Sequence, residues 1–257
     1  MAGNPYAAPK AQLADVAHEA AESEFIEAGQ SVSAGRGWSW VTEAWQLFKA
    51  QPGGWLLMFI VAGLIFILIS LIPVAGHFLP SVVMPVLGAG IMLSAHQLTG
   101  GEPVTLGKLF AGFSHRFGSL LMLGAFAFLC GFAMLMIGAG VGGLSLGVFL
   151  GTTPPDIGNL TGFWIAILVI LALSVPLYMA MWFSTGLVML NEFSVSHAIT
   201  TSFVACLKNV LPFLVYGLVL FMLFVIASIP FGLGMIIAIP IAALTAYTSY
   251  RDVFYME

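Results

Sequence analysis

Apolar positions along this chain gather in long charge-free blocks, not in the short amphipathic periods of a water-soluble fold. Runs of about 20 residues can cross a bilayer as helices. Such runs occur at Gly53–Ile72, ended by Pro73, and at Leu79–Leu98, ended by Thr99-Gly100-Gly101-Glu102. A third begins near Gly118 and fades through Gly138–Gly143, and a fourth starts near Gly162 and stays apolar to Leu190. The fifth, Pro212–Ser228, and the sixth, Phe231–Tyr250, are parted by Ile229-Pro230. The pattern predicts an all-α membrane protein of six transmembrane helices, with hairpin tips at Pro73–His77, Val141–Leu160 and Ile229–Pro230.

Three shorter stretches before the odd-numbered spans are amphipathic instead. Trp38, Val41, Trp45 and Phe48 fall on one helical face, as do Leu106, Leu109, Phe110, Phe113 and Phe117, and Ile199, Phe203, Cys206 and Val210. Each stretch ends in a cation just before a span: Lys49, Arg116 and Lys208. A cation there can satisfy the last helix carbonyls and lipid phosphates together. These helices are expected in the membrane interface, with Trp38, Trp45 and Phe113 as aromatic anchors; the alternative is that they fold under the bundle and plug it. The chain then reads as three helix-plus-hairpin repeats, 38–102, 106–192 and 195–254. The second span of each repeat holds one proline, Pro85, Pro176 and Pro240, followed nine residues later by a hydroxyl, Ser94, Thr185 and Ser249. Glu102, Glu192 and Glu257 follow at nearly constant distance. A proline frees a carbonyl one turn back, so three bent helices could enclose a cavity or pack solid. Gly124, Gly131 and Gly138 on the third span, and Gly234, Ala238, Ala242 and Ala246 on the sixth, form the small-residue stripes that let helices pack closely.

The fourth apolar stretch is too long. Its 31 residues from Leu160 to Leu190 would make a helix of about 46 Å, against a hydrocarbon core of about 30 Å. Pro176 lies in its middle, so a kink, tilt or break is expected there.

Composition agrees: 60% of residues are hydrophobic and 7% charged, where a soluble domain has about 25% charged. The net charge of −4 comes largely from acids between Asp15 and Glu43, and residues 1–35 read as an acidic, solvated tail, helical around Ala11–Ala28, without the pattern of a signal peptide. All seven cations, Lys10, Arg36, Lys49, Lys108, Arg116, Lys208 and Arg251, fall on one side of the six-span reading. Asp156 is the lone charge on the other side. The positive-inside rule puts both termini in the cytoplasm. No basic cluster suggests nucleic acid.

The chemistry of an enzyme is missing. No Asp, Glu, Lys or Arg lies in the central part of a span, which argues against ion-coupled transport. No nucleophile motif, phosphate loop or paired carboxylate occurs. The five histidines lack ligand spacing, although His96, His115 and His197 share a side, and Cys130 and Cys206 sit apart without a CxxC. Glu102, Glu192 and Asp252 read as loop solubilisers. No cofactor or metal is implied.

Several segments carry a family likeness: Arg36-Gly37-Trp38-Ser39-Trp40, Leu47-Phe48 with Pro52, Ile72-Pro73, Leu109-Phe110-Ala111-Gly112-Phe113, Phe193-Ser194-Val195, Asn209 through Tyr216, and Tyr250-Arg251-Asp252-Val253-Phe254. Over Gly35 to Phe254 the chain resembles a family of uncharacterised proteobacterial inner-membrane proteins and, more distantly, YciC-like membrane proteins and the membrane domains beside glycerophosphodiesterases. The likeness implies a six-span fold in the bacterial inner membrane and carries no assigned activity or site. The expectation is a non-enzymatic scaffold or accessory subunit whose partners are the lipid bilayer and another membrane protein or bound lipid. The alternative is an uncoupled permease or channel for a small or apolar solute.

Overall fold

A computed structural model describes residues 24–73, 76, 78–142, 154 and 160–256. Among the described residues the regular structure is helical apart from one isolated bridge, Phe25 to Tyr255. In chain order the helices are α1 Arg36–Ala50, α2 Pro52–Ser70, α3 Leu79–Thr99, α4 Leu106–Leu109, α5 Ala111–Ser114, α6 Phe117–Gly142, α7 Leu160–Trp182, α8 Ser184–Leu190, α9 Val195–Lys208, α10 Val210–Ser228 and α11 Met235–Phe254. Among the described residues five stretches are long and apolar enough to cross a membrane: α2, α3, Phe117–Val141, Thr161–Leu190 and α10. The protein is thus an all-α, multi-pass membrane protein. The sixth expected span is a helix too, but its last two turns carry Tyr247, Thr248, Ser249, Tyr250, Arg251 and Asp252, which take α11 out of that group. Much of the hairpin tip expected at Val141–Leu160 lies outside the described residues.

Contacts between segments gather one end of every long helix together. Val104 N–H donates to Gln51 Oε1 at the start of α2 (2.7 Å), and Thr99 Oγ1 lies 3.1 Å from the Tyr247 hydroxyl. Arg116, before α6, reaches the Glu192 carbonyl after α8 (2.6 Å), and Tyr250 bonds Asn191. The six described cations all lie at this end, called here the charged end. α1 packs on α10 and α11, α4 and α5 on α3, and α9 on α7. Close backbone approach at glycine permits two of these packings. A Cβ on Gly37 would sit 2.2 Å from the Pro212 carbonyl, and one on Gly112 2.2 Å from the Val86 carbonyl. Gly124 and Gly138 likewise press on α3 and α7, whereas Gly131 meets nothing.

Two expectations need correction. Of the kink, tilt or break expected in the fourth span, the break is not at Pro176: α7 runs through that residue, and the interruption falls at Phe183. There the Ser202 hydroxyl of α9 accepts from Phe183 N–H (3.0 Å) and donates to the Met179 carbonyl (2.8 Å). It occupies the place of the ladder bond between those two groups, which interrupts the helix there. Nor is the whole of residues 1–35 a loose tail. Residues 1–23 lie outside the described chain, but 24–35 form a strap laid over the end of α11. Ile26 N–H bonds the Phe254 carbonyl (2.7 Å), Gln30 N–H the Val253 carbonyl (2.8 Å) and Gln30 Nε2 the Asp252 carbonyl (2.9 Å). The last carbonyls of a helix have no partner within it, and the strap supplies donors to those of α11. Phe25 adds ring contacts with Phe193, Phe254 and Tyr255.

Candidate functional site at the charged end

Asp252 is the organising residue. It lies in the last turn of α11, where the helix dipole opposes a negative charge, and its side chain is only 11% exposed. Donors from α1 hold it there. Arg36 Nε donates to Asp252 Oδ2 at 2.8 Å, and the fully buried Trp40 Nε1 donates to the same oxygen at 2.6 Å. Arg36 also meets Glu43 at 3.0 Å, and Arg251 approaches Glu43 at 3.7 Å. Thr248 Oγ1 closes the cluster by donating to the Trp40 carbonyl (2.9 Å). Two cations face two carboxylates, so the cluster is electrically balanced without an added ion. Beside it a crevice of about 280 Å³ is lined by Glu43, Gln46, Leu47, Ala50, Leu98, Thr248 and Arg251. The reading of Asp252 as a loop solubiliser is therefore corrected: it locks α1 onto α11.

A second polar centre sits where α9 meets α10. Asn209, fully buried, accepts from Val32 N–H (2.8 Å) and donates to the Gln30 and Ala205 carbonyls (2.9 Å each). Lys208 Nζ donates to the Ala28 and Gly29 carbonyls (2.9 and 3.1 Å). Gly29 turns at φ +63°, and a Cβ there would crowd Ala205, Val253 and Phe254.

The expected anchors divide into two kinds. Trp38 (59% exposed), Trp45 (39%) and Phe113 (48%) point outward. Phe113 stacks with Phe117 at 5.7 Å and Trp45 with Phe48 at 5.8 Å. Lys49 is exposed, 5.7 Å over the Trp45 ring. Arg116 and Lys208, by contrast, are bound to carbonyls of other segments, not to the ends of their own helices, and Arg116 itself adopts a left-handed φ of 59°. The face of α1 that packs on protein is Gly37, Trp40, Ala44 and Phe48. The expected stripe of Trp38, Val41, Trp45 and Phe48 thus mixes inner and outer residues.

Of the proline and hydroxyl series, Pro85 and Pro240 are buried and Pro176 is exposed. Ser94 bonds back to the Gly90 carbonyl (2.7 Å), and Ser249 accepts from Trp182 Nε1 (3.1 Å). Thr185 faces Gly88 of α3. None of the six lines the crevice at Glu43. Sequence reasoning missed Trp40, Asp252, Asn209 and Ser202. Their signal was weak: polar groups on or next to helices that then prove almost wholly buried. Among the described residues no group of three or more His, Cys, Asp or Glu is placed to hold a metal.

No protein-family model and no solved structure matches the chain. It is 32% identical over 220 residues to a probable inner membrane protein of Burkholderia thailandensis, an alignment that covers 79% of this chain and 78% of that protein. The buried end network and the long apolar helices are features of a bilayer protein, and by this likeness the chain belongs to that family of bacterial inner-membrane proteins.

Proposed function

We propose that the protein is a non-enzymatic inner-membrane scaffold that engages a membrane partner or bound lipid through its interfacial helices. The observation that carries this is the two-faced character of those helices. α1, α5 and α9 turn small residues (Gly37, Ala44, Gly112, Ala198, Ala205) toward the bundle and leave Trp38, Trp45, Phe113, Val204 and Leu207 exposed. Small faces let helices approach closely in lipid, while exposed large apolar side chains at a charged rim suit the acyl boundary or a partner's spans.

The reading includes six crossings in three related helix-plus-hairpin units, with both termini in the cytoplasm. Each interfacial helix packs on the spans of the preceding unit, α5 on α3, α9 on α7 and α1 on α10 and α11, which supports a closed cyclic arrangement. The gathering of the six described cations at one end supports the orientation. A permease or channel needs polar groups free to meet a solute. Ser94, Thr245 and Ser249 have partners within the protein, Thr245 with Tyr216 at 2.6 Å, which favours the scaffold. Purification from native membranes in mild detergent tests the proposal: a stoichiometric membrane protein or lipid is expected, and a bare monomer would overturn it. Alkaline phosphatase fused after Glu102 is expected to be inactive; activity there would overturn the orientation.

A further inference from the structure

We propose that Ser202 is a latch that sets the length of the fourth span, making that span responsive to bilayer thickness. The apolar stretch Thr161–Leu190 has 30 residues. Unbroken, it would measure about 45 Å, well beyond a hydrocarbon core of about 30 Å. The helix is interrupted at Phe183, and what holds the interruption comes from another helix. The Ser202 hydroxyl sits between Phe183 N–H and the Met179 carbonyl, at 3.0 and 2.8 Å, where those two would otherwise bond each other. Ser184, next in the chain, bonds back to the Ala180 carbonyl at 2.6 Å, a contact that favours bending.

On this proposal the latch has two settings. With Ser202 inserted, both backbone groups are satisfied and α7 and α8 are separate helices free to bend at Phe183. With Ser202 withdrawn, Phe183 N–H and the Met179 carbonyl can bond directly, and the two helices merge into one. The withdrawn hydroxyl, fully buried, can bond back to the Ala198 carbonyl of its own helix, so each setting offers every one of these polar groups a partner. Ser202 belongs to α9, whose inner face of Ala198, Ser202, Ala205 and Cys206 is buried and whose outer face exposes Val204 and Leu207. A thicker bilayer favours the long helix and a thinner one the bent pair. Movement of α9 in the interface is the coupled event, and this part rests on the interfacial placement of α9 proposed above.

Pulsed electron resonance on the full chain in bilayers of 14-, 18- and 22-carbon lipids tests this. Spin labels go on L168C and E192C, both exposed positions, in a C130A background with the buried Cys206 left in place. Glu192 lies two residues past the end of α8, and one continuous helix from Leu168 to Leu190 would span about 33 Å. The wild-type distance should be shorter than that in thin bilayers and lengthen toward it in thick ones. S202A should hold the long distance in all three lipids, and S202T should keep the wild-type response. A wild-type distance indifferent to thickness overturns the proposal without any variant at Ser202, and a short distance in S202A overturns the assignment to Ser202. A separate label at Leu207 reports its depth: α9 found outside the headgroup region refutes the interfacial reading, whereas the span's own response is read independently.

Discussion

Replacing Asp252 with alanine tests whether the α1–α11 lock stabilises the fold as its geometry implies. The substitution removes one oxygen that receives two donors, Arg36 Nε and Trp40 Nε1. Trp40 is fully buried, so its N–H is left without a partner, a cost of about 1–3 kcal/mol. Arg36 is 27% exposed and keeps Glu43 at 3.0 Å, so its loss belongs near the surface-pair value of about 0–1 kcal/mol. Removing a carboxylate from a helix C-terminus returns about 0.3–1 kcal/mol. Taking the middle of each range, the expected net loss is about 2 kcal/mol, on the order of a 25-fold shift in the unfolding equilibrium at about 1.4 kcal/mol per decade. D252N keeps an acceptor for Trp40 and should lose only about 1 kcal/mol. Unfolding in mixed micelles by SDS titration, followed by tryptophan fluorescence and circular dichroism, measures both. A D252A protein within about 0.5 kcal/mol of wild type would refute the lock. A D252N loss equal to that of D252A would refute the part assigned to the orphaned indole.

Gly37→Ala places a methyl group 2.2 Å from the Pro212 carbonyl and 2.7 Å from Tyr216 N, so α1 must move off α10. A loss of about 1–3 kcal/mol is expected in the same titration, whereas Gly107→Ala, where a Cβ meets nothing within 4 Å, should change stability by about 0.5 kcal/mol or less. Lys208→Met removes the ammonium that holds the Ala28 and Gly29 carbonyls. The strap should then be cut faster by a glutamate-specific protease at Glu24 and Glu27, and an unchanged rate would show that Lys208 does not hold it. Burial pushes the Cys206 thiol from an ordinary value of 9.0 up to about 12, against an opposing hydrogen bond with Ser202. At pH 9, where an ordinary thiol is half ionised, Cys206 should remain protonated and resist iodoacetamide until the protein is unfolded, as mass spectrometry would show. Its neutral form adds stability that is complete below pH 9 and fades as the pH rises toward 12.

Long apolar runs were readable because they obey a local rule: a span needs about 20 uncharged residues whatever its neighbours are. The predicted run Gly53–Ile72 became Pro52–Ser70, and Leu79–Leu98 became Leu79–Thr99. The inner face of α1 was harder to read because hydrophobicity reverses its meaning in lipid. Of its three tryptophans Trp38 and Trp45 face outward and only Trp40 is buried, on the packed face with Gly37 and Ala44. Ser202 reads locally as one polar residue among several on an amphipathic helix, and its partners lie 19 and 23 positions away. Asp252 reads as a charge at a helix end, and its donors lie 212 and 216 positions away. Neither role could be read before the helices were assembled.

The last helix shows how assembly changes what a sequence can place in a bilayer. The second half of α11 is studded with hydroxyls and ends in Arg251 and Asp252, too polar for a segment facing lipid alone. Yet Thr245, Tyr247, Thr248, Ser249, Tyr250 and Asp252 are all buried. Thr245 pairs with Tyr216 of α10, Thr248 with the Trp40 carbonyl of α1, Ser249 with Trp182 of α7, and Tyr250 with Asn191 after α8. Four separate elements therefore solvate one helix, in place of water. Thr245, Thr248 and Ser249 also bond carbonyls of α11 itself, but the Tyr216 hydroxyl, the Trp182 indole and the Trp40 carbonyl meet α11 in one arrangement, which fixes the register of the helices that carry them. The apolar spans supply membrane affinity, and the polar half of α11 supplies the specificity with which they close around it.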